Sequence, residues 1–181
     1  MVIHAVIRIG RPADIDRKVF YCDFQYVVGG YPYSLSSIKN GILRSNRRQP
    51  YSLVKPFSAR DKRLELAPAK LNPLIHFGLC DGTRSSPTLR FFSAQGVEVE
   101  LRHAAREFFL GGVEVDLERR VVYLSKFMKW YSADFGQEKD IILHWILNYM
   151  DVTRAGLLTH LLNDGGPINI FYKNYDWSLN C

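Results

Sequence analysis

Two stretches of alternating apolar and polar residues predict β-hairpins, one within residues 20–34 and one within residues 113–124. The turn of the first hairpin is Gly29 and Gly30, because glycine tolerates the positive φ that both positions of a tight two-residue turn require. A further short strand is predicted over residues 168–172. The pattern therefore predicts two hairpins and one further strand.

Apolar residues at helical spacing predict helices before, between and after the hairpins, over residues 2–9, 36–43, 93–110, 125–135, 139–150 and 153–162. In the helix that ends at Leu43, a cap at Ser34 or Ser36 is predicted and the expected buried side chains are Leu35, Ile38 and Ile42. In 93–110 they are Val97, Leu101, Ala105 and Phe108. Residues 139–150 are apolar nearly all round, which predicts a buried helix, and Thr153 is the expected N-cap of the next one.

Hairpins and helices occur in blocks rather than in strict β-α-β alternation. This order predicts an α+β fold, with a mainly antiparallel sheet built from hairpins and packed against several helices. A chain of 181 residues is long enough for one hydrophobic core, so a single domain over 1–181 is expected. No apolar run of about 18 residues occurs, so no transmembrane segment is predicted.

Residues 45–70 lack periodicity and predict a long surface loop, with Leu64 and Leu66 as the side chains expected to pin it. The net charge of +6 comes from residues 44–63, which we call the basic loop. It contains one acid, Asp61, and seven basic residues: Arg44, Arg47, Arg48, Lys55, Arg60, Lys62 and Arg63. Such a loop is either a solvated surface or a site for RNA, lipid headgroups or an acidic peptide. Nucleic acid is disfavoured because few aromatic residues lie nearby for base stacking.

The reactive side chains of the chain concentrate in residues 71–90. An apolar run over 74–79 predicts a buried strand or short helix, and it leads into a polar turn over 81–86 that Pro87 closes. This arrangement is typical of a core element that delivers a functional loop. The candidate catalytic residues of this stretch are His76, Cys80 and Ser86.

Two kinds of chemistry fit these residues. Cys80 is a candidate thiol nucleophile with His76 as its base, provided that both lie on one helix. Ser85 or Ser86 is the alternative nucleophile, with Asp81 or Asp176 orienting His76. The non-catalytic alternatives are a buried His76 that bonds a backbone carbonyl, a Cys80 that fills the core, and a structural corner at Asp176.

The same turn is also a candidate ligand or anion site, in which backbone N–H groups act together with side chains. The candidate ligand-binding residues are Asp81, Thr83, Arg84, Ser85 and Asp176. No metal or cofactor is predicted, because the five histidines are never three or four residues apart and no phosphate-binding glycine motif occurs. Three cysteines without CxxC spacing predict reduced thiols and an intracellular protein, cytoplasmic or nuclear.

Five segments together resemble the domain of unknown function 547 family: VIHAVIRIGRP, YVVGGYPYSLSSIKNGILR, LNPLIHFGLCDGTRSSPTLRFF, VYLSKFMKWYSADF and YDWSLN. The chain is most similar to plant proteins that join this domain to glutaredoxin and DEP domains. The family's domain usually begins upstream of VIHA, so the resemblance implies an incomplete first helix and a truncated chain. Redox activity would belong to the glutaredoxin domain and is not implied for this chain.

Bacterial relatives resemble HFAL-x-CAS-x-x-CP across the central stretch. Alignment on His76 and Pro87 places Asp81 and Ser86 where those relatives have cysteines, and Cys80 is displaced by one residue. The resemblance therefore implies a non-catalytic binding or accessory module of a larger plant signalling or redox protein, with a site for a protein partner or small ligand at 76–87. The alternative is a cysteine- or serine-type acyl-transfer or hydrolytic enzyme with His76 as base. A weaker alternative is contact of the basic loop with an anionic surface or nucleic acid. Partner identity and oligomeric state are left open.

Overall fold

The computed structural model describes residues 19–180, with side chains from Tyr21 onward. The helix predicted over 2–9 lies outside these residues. Within them, contacts group the chain into two compact units. Unit 1 holds the described part of Met1–Ile75 together with Leu79–Ser86 and the described part of Asp176–Cys181, and unit 2 holds His76–Gly78 and Pro87–Tyr175. The single domain stays a prediction.

Unit 1 is built around the first predicted hairpin. A π-helical turn, Val19–Asp23, precedes strands β1 (Gln25–Val28) and β2 (Tyr31–Ser34), which pair antiparallel with Val28 opposite Tyr31. Gly29 and Gly30 have φ of +58° and +82°, so the hairpin and the reason for its glycines are confirmed.

The helix predicted to end at Leu43 is a π-helix, Ser37–Leu43, and the Ser34 hydroxyl accepts a hydrogen bond from the Ser37 N–H at its start. Its wider turns change which residues share a face, because each N–H reaches back five residues instead of four. Asn40 and Gly41 are consequently its buried residues, and the expected Leu35, Ile38 and Ile42 are only half-buried.

The loop after this helix contains a short 3₁₀ helix, Lys62–Leu66. The expectation that Leu66 pins the loop is wrong, since Leu66 is 62% exposed. Leu64 is half-buried, and the side chain that enters the interior is Phe57, at 3% exposure. An aromatic ring offers more apolar area to bury than a leucine, which favours Phe57 as the anchor.

Unit 2 combines a three-stranded sheet with helices. Its elements in chain order are α1 (Ile75–Gly78, of which Ile75 belongs to unit 1), α2 (Val97–Gly112), β3 (Glu114–Asp116), β4 (Val121–Ser125), α3 (Lys126–Trp130), the 3₁₀ turn Ser132–Asp134, α4 (Lys139–Leu147), α5 (Val152–Asn163) and β5 (Asn169–Lys173). The strand order is β3-β4-β5, and β3 pairs antiparallel with β4 as the second hairpin predicts. Strand β5 pairs with β4 in parallel. The α+β class is confirmed, and two of the three strand pairings in the described residues are antiparallel.

The core of unit 2 draws on every one of these helices. Its fully buried large side chains are Phe77, Phe109, Val113, Val122, Leu124, Met128, Ile142, Leu143, Ile146, Leu158 and Leu161. Burial of each such side chain contributes about 1.5–3 kcal/mol to folding. Within residues 19–180, no helix is both long enough and apolar enough to cross a bilayer.

Three expectations for these helices need correction. In α2, Ala104 and Phe109 are buried with Leu101 and Ala105, whereas Val97 and Phe108 are more exposed. Helix α4 buries only one face, and Ile141 and His144 on its other face are exposed. The N-cap of α5 is Asp151, because its carboxylate accepts the Arg154 N–H and its backbone is extended, while Thr153 lies inside the helix.

Candidate functional site

The candidate residues after α1 lie on a turn and not on the helix. Helix α1 ends at Gly78, and Leu79 is extended with φ −101° and ψ +97°. A Cβ on Gly78 would lie 2.7 Å from the Leu101 Cδ2, so α1 packs closely on α2 at this glycine and a larger residue would require the Leu101 side chain to move. The helix face that Cys80 and His76 would need to share therefore does not extend to Cys80.

Cys80 and Ser86 are brought together in unit 1. The Cys80 Sγ lies 3.5 Å from the Ser86 Oγ, and the Gly82 N–H points to the same sulfur at 3.4 Å. The Ser86 hydroxyl donates to the Thr83 carbonyl at 2.9 Å. Because the Ser86 hydroxyl proton is used in this bond, the Ser86 oxygen acts as the acceptor for the Cys80 thiol. The two candidate nucleophiles thus contact each other within one loop, residues 80–86, which we call the 80–86 loop.

The Asp81 carboxylate accepts hydrogen bonds that hold the 80–86 loop in its turn. Its Oδ1 accepts from the Thr83 N–H at 3.2 Å and from the Thr83 hydroxyl at 2.6 Å. Its Oδ2 accepts from the Tyr21 hydroxyl at 3.2 Å. Gly82 has φ +82°, a conformation that suits glycine. Asp81 is therefore a turn-forming acceptor, and Thr83 is fully buried beneath it.

The C-terminal segment 176–180 runs beside the 80–86 loop in unit 1. Arg84 N–H donates to the Ser178 carbonyl, Asn180 N–H to the Gly82 carbonyl, and Asp176 N–H to the Ser85 Oγ at 2.8 Å. The N–H groups of residues 82–86 all donate to atoms of the chain itself. An anion at this loop would consequently depend on side chains, and the exposed Arg84 supplies the guanidinium.

Asp176 organises the corner of this segment. Its Oδ1 accepts from the Ser178 hydroxyl at 2.6 Å and from the Ser178 N–H at 2.9 Å. The Ser178 hydroxyl, then the Ser178 N–H, and to a smaller extent the positive charge of Arg84 hold the pKa of the Asp176 carboxyl below its usual range. The carboxylate is exposed and ionised, and it is close enough to Arg84 for the two charges to interact.

His76 has a different environment in unit 2. Its Nε2 lies 2.8 Å from the Asp134 Oδ2, and the two side chains are 1% and 0% exposed. Three aromatic rings surround the imidazole, with centroid distances of 4.5 Å to Tyr131, 5.4 Å to Phe135 and 6.1 Å to Phe127. We call this group the imidazole cage. It is a buried ion or hydrogen-bond pair in an apolar surrounding.

Asp134 is the residue that sequence reasoning missed. It lies 58 positions after His76, at the end of the 3₁₀ turn Ser132–Asp134. The one signal was its position near the end of VYLSKFMKWYSADF, a segment that carries the family resemblance. If His76 was buried, the expected partner of its imidazole was a backbone carbonyl. The structure shows a carboxylate, that of Asp134, at this imidazole.

The charged residues of the basic loop are exposed except near its two ends. Arg44 is buried, and its Nη1 donates to the Asn40 Oδ1 at 2.7 Å and to the Arg48 carbonyl at 3.0 Å. Arg63 forms an ion pair with Asp61 at 2.7 Å, which lowers the pKa of the carboxyl and raises that of the guanidinium. The exposed cations are Arg47, Arg48, Lys55, Arg60 and Lys62.

Two further features concern thiols and metals. Cys22 and Cys80 are free cysteines, and both are half-buried. Among residues 19–180, no group of three or more histidine, cysteine, aspartate or glutamate side chains is arranged to hold a metal ion.

Comparison with known proteins identifies a family and no function. No curated protein and no solved structure matches the chain. A family model described as a protein of unknown function, DUF547, matches residues 1–109, which is more than half of the 181 residues. The chain therefore belongs to the DUF547 family.

Proposed function

We propose that this chain is a non-catalytic accessory module that recognises a partner or small ligand through the 80–86 loop and the adjoining segment 176–180. The observation that carries the proposal is the imidazole cage. A general base must reach the proton that it removes from a substrate, and the His76 side chain is 1% exposed with Asp134 at its Nε2. His76 is therefore better placed to stabilise the fold than to act as a general acid or base.

The loop itself supports recognition. Its backbone N–H groups, Asp81 and Ser86 are occupied within unit 1, so little conformational entropy is lost when a partner binds to this ordered surface. Arg84 is exposed and presents a planar guanidinium that can bind a carboxylate or phosphate through two parallel hydrogen bonds. The ligand chemistry that fits is an anionic group on a small molecule or on an acidic protein segment.

The family resemblance supports a place within a larger protein. The motifs resemble those of plant proteins in which the same domain is joined to glutaredoxin and DEP domains, so the module would serve a signalling or redox protein. Free thiols at Cys22 and Cys80 are in keeping with an intracellular location. In such a protein, the attached domain would carry out the redox or signalling reaction, and this domain would bind the partner or ligand.

The test is an NMR titration of the ¹⁵N-labelled chain with two probes, inorganic phosphate and a tetraglutamate peptide. Shift changes are expected in residues 82–86 and 176–180 with at least one probe, and Arg84→Gln should abolish them. Arg102→Gln is the matched control, because Arg102 is also an exposed arginine but lies on α2 in unit 2. Shifts confined to the basic loop, or equal losses in both variants, would contradict the proposal.

The enzyme alternative is tested without a substrate by the alkylation rate of Cys80 against pH, with Cys22 as the internal control. Only a thiolate reacts, so a fast Cys80 reaction below about pH 7 indicates an activated nucleophile. The Cys80 Sγ contacts the Ser86 Oγ and the Gly82 N–H in the structure, and neither is a base. Similar rates for the two cysteines are therefore expected. Selective low-pH reactivity of Cys80 would favour acyl transfer over binding.

A further inference from the structure

Residues 46–57 form a closed loop within unit 1. The Asn46 side chain bonds both backbone groups of Phe57: its Nδ2 donates to the Phe57 carbonyl at 3.0 Å, and its Oδ1 accepts the Phe57 N–H at 2.9 Å. This double hydrogen bond joins the two ends of the segment. We call the segment the 46–57 loop, and it has the short neck that defines compact surface loops of this length.

The neck is anchored in the interior of unit 1. The Phe57 ring is buried, and the Arg63 guanidinium carbon lies 4.3 Å from its centroid. On the π-helix, a Cβ at Gly41 would come within 2.3 Å of the same ring, so only glycine allows this approach. Arg63 is in turn held by Asp61 and by the Pro32 carbonyl at 2.6 Å. The base of the loop is therefore fixed within unit 1.

The tip of the loop exposes three large apolar side chains in four residues. Tyr51 is 91% exposed, Leu53 85% and Val54 75%. Between them, the Ser52 hydroxyl bonds both the N–H and the carbonyl of Val54, which orders the tip without covering it. Single exposed apolar residues are ordinary, but three of them close together on an internally bonded loop indicate a surface that a membrane or another molecule covers.

Positive charges flank this tip along the chain. Arg47, Arg48 and Lys55 belong to the loop itself, and Arg60 and Lys62 follow closely after its neck; all five are exposed. The one acid of residues 44–63, Asp61, is paired with Arg63. The surface that complements such a site is anionic around its edge and apolar at its centre.

We propose that the 46–57 loop docks on an anionic phospholipid bilayer, with Tyr51, Leu53 and Val54 in the interfacial region and the surrounding cations at the headgroups. Tyrosine is favoured at the level of the headgroups, and aliphatic side chains gain by entering the acyl boundary. Each nearby lysine or arginine adds electrostatic attraction to acidic lipids. RNA fits less well, because leucine and valine offer no ring on which a base can stack.

The experiment is co-sedimentation of the full chain with vesicles of phosphatidylcholine alone and of phosphatidylcholine mixed with phosphatidylserine. Binding is expected only to the mixed vesicles, and it should weaken when salt is raised from about 0.05 M to about 0.5 M. The double variant Leu53→Ser/Val54→Ser should bind at least about tenfold more weakly. Lys55→Gln/Arg60→Gln should lose roughly tenfold as well, since both cations are removed from the rim.

Two controls separate docking from general effects. Val152→Ser removes a valine at the start of α5 that is 91% exposed, and Arg102→Gln removes an exposed cation of α2; both should bind as the unchanged chain does. All positions are exposed, so thermal unfolding should confirm that each variant folds. Absence of binding to mixed vesicles overturns the proposal. So does binding to a single-stranded RNA that depends on the cations and is indifferent to Leu53 and Val54.

Discussion

At the scale of single residues, the imidazole cage explains why one histidine and one aspartate tolerate complete burial. Neither side chain is satisfied by an apolar environment alone, and each supplies the other with a hydrogen-bond partner at 2.8 Å. Tyr131, Phe135 and Phe127 exclude water from the pair. The interaction joins α1 to the 3₁₀ turn that follows α3, so it stabilises the aromatic core around Phe77.

Removal of one member of the pair should be costly. Asp134→Ala leaves a buried imidazole without this partner, and we expect a loss of about 3–5 kcal/mol in the free energy of unfolding. The matched control is Asp164→Ala, because the Asp164 carboxylate pairs with Arg120 at the surface, where the expected loss is about 0–1 kcal/mol. Urea denaturation followed by circular dichroism measures both. If Asp134→Ala leaves too little folded protein to measure, Asp134→Asn serves in its place, and equal losses at the two sites would contradict a structural role for the cage.

How far residues of the site were predictable depends on the range of their contacts. Asp81, Thr83 and Ser86 follow one another closely, and their turn was predictable from local chemistry. The partnership of His76 with Asp134 spans 58 residues and depends on how α1 and α3 pack, which no local pattern encodes. The candidate roles of His76, Cys80 and Ser86 as catalytic groups stay predictions.

At the scale of elements, both hairpins were predictable because their turn and strand signals are local. The π-helix Ser37–Leu43 was not, although Gly41 inside its pattern was visible. A glycine within a helical pattern can signal a close approach, but the sequence does not say what approaches. Here it is the ring of Phe57, sixteen positions later, and the wider turn accompanies this contact.

A glycine of the first hairpin and a glycine of α2 allow a matched pair of substitutions. A Cβ at Gly30 meets no atom within 4 Å, so the cost of Gly30→Ala comes from its φ of +82° alone and should be about 1 kcal/mol of stability. A Cβ at Gly111 in α2 is equally unhindered, and Gly111→Ala should be neutral or stabilise by up to about 1 kcal/mol. Thermal or urea unfolding of the two variants measures both changes in stability. If both substitutions changed the stability in the same direction, the positive φ of Gly30 would not be required in the Gly29-Gly30 turn.

At the scale of the whole molecule, folding is coupled to pH, and among residues 19–180 the carboxyl groups of Asp61, Asp151 and Asp176 contribute through lowered pKa values. Hydrogen bonds from the Arg63 side chain, the Arg154 N–H and the Ser178 hydroxyl are the largest influences that lower the pKa values of Asp61, Asp151 and Asp176 respectively. The unfolded chain then binds more protons than the folded one in acid. The stability that these groups contribute is fully present above an ordinary aspartate pKa of 3.8 and is lost as the pH falls through the lower folded values.

Acid titration of stability tests this coupling. The free energy of unfolding should fall as the pH is lowered from about 5 to about 2, and Asp151→Asn should make this fall less steep. Asparagine retains an N-cap acceptor for the Arg154 N–H but cannot titrate, so the comparison isolates the charge. Urea midpoints at a series of pH values are the measurement. Parallel curves for the two proteins would show that the Asp151 carboxyl does not contribute to the acid sensitivity.

Net charge is also a property of the whole molecule, and here it has a local origin. Outside residues 44–63 the chain carries equal numbers of acidic and basic side chains, so its positive potential is concentrated in unit 1. This asymmetry was fully predictable by counting. The burial of Arg44 was not, because it depends on Asn40 and on the carbonyl of Arg48.

The Asn46 bonds to Phe57 have a consequence for protein engineering. Because the two ends of the 46–57 loop are joined at their base, the residues between them can change length with little effect on the rest of unit 1. Closure of a loop twice as long costs only about 0.6 kcal/mol more. The stretch from Pro50 to Val54 is therefore a suitable insertion point for an epitope tag or a fluorescent reporter.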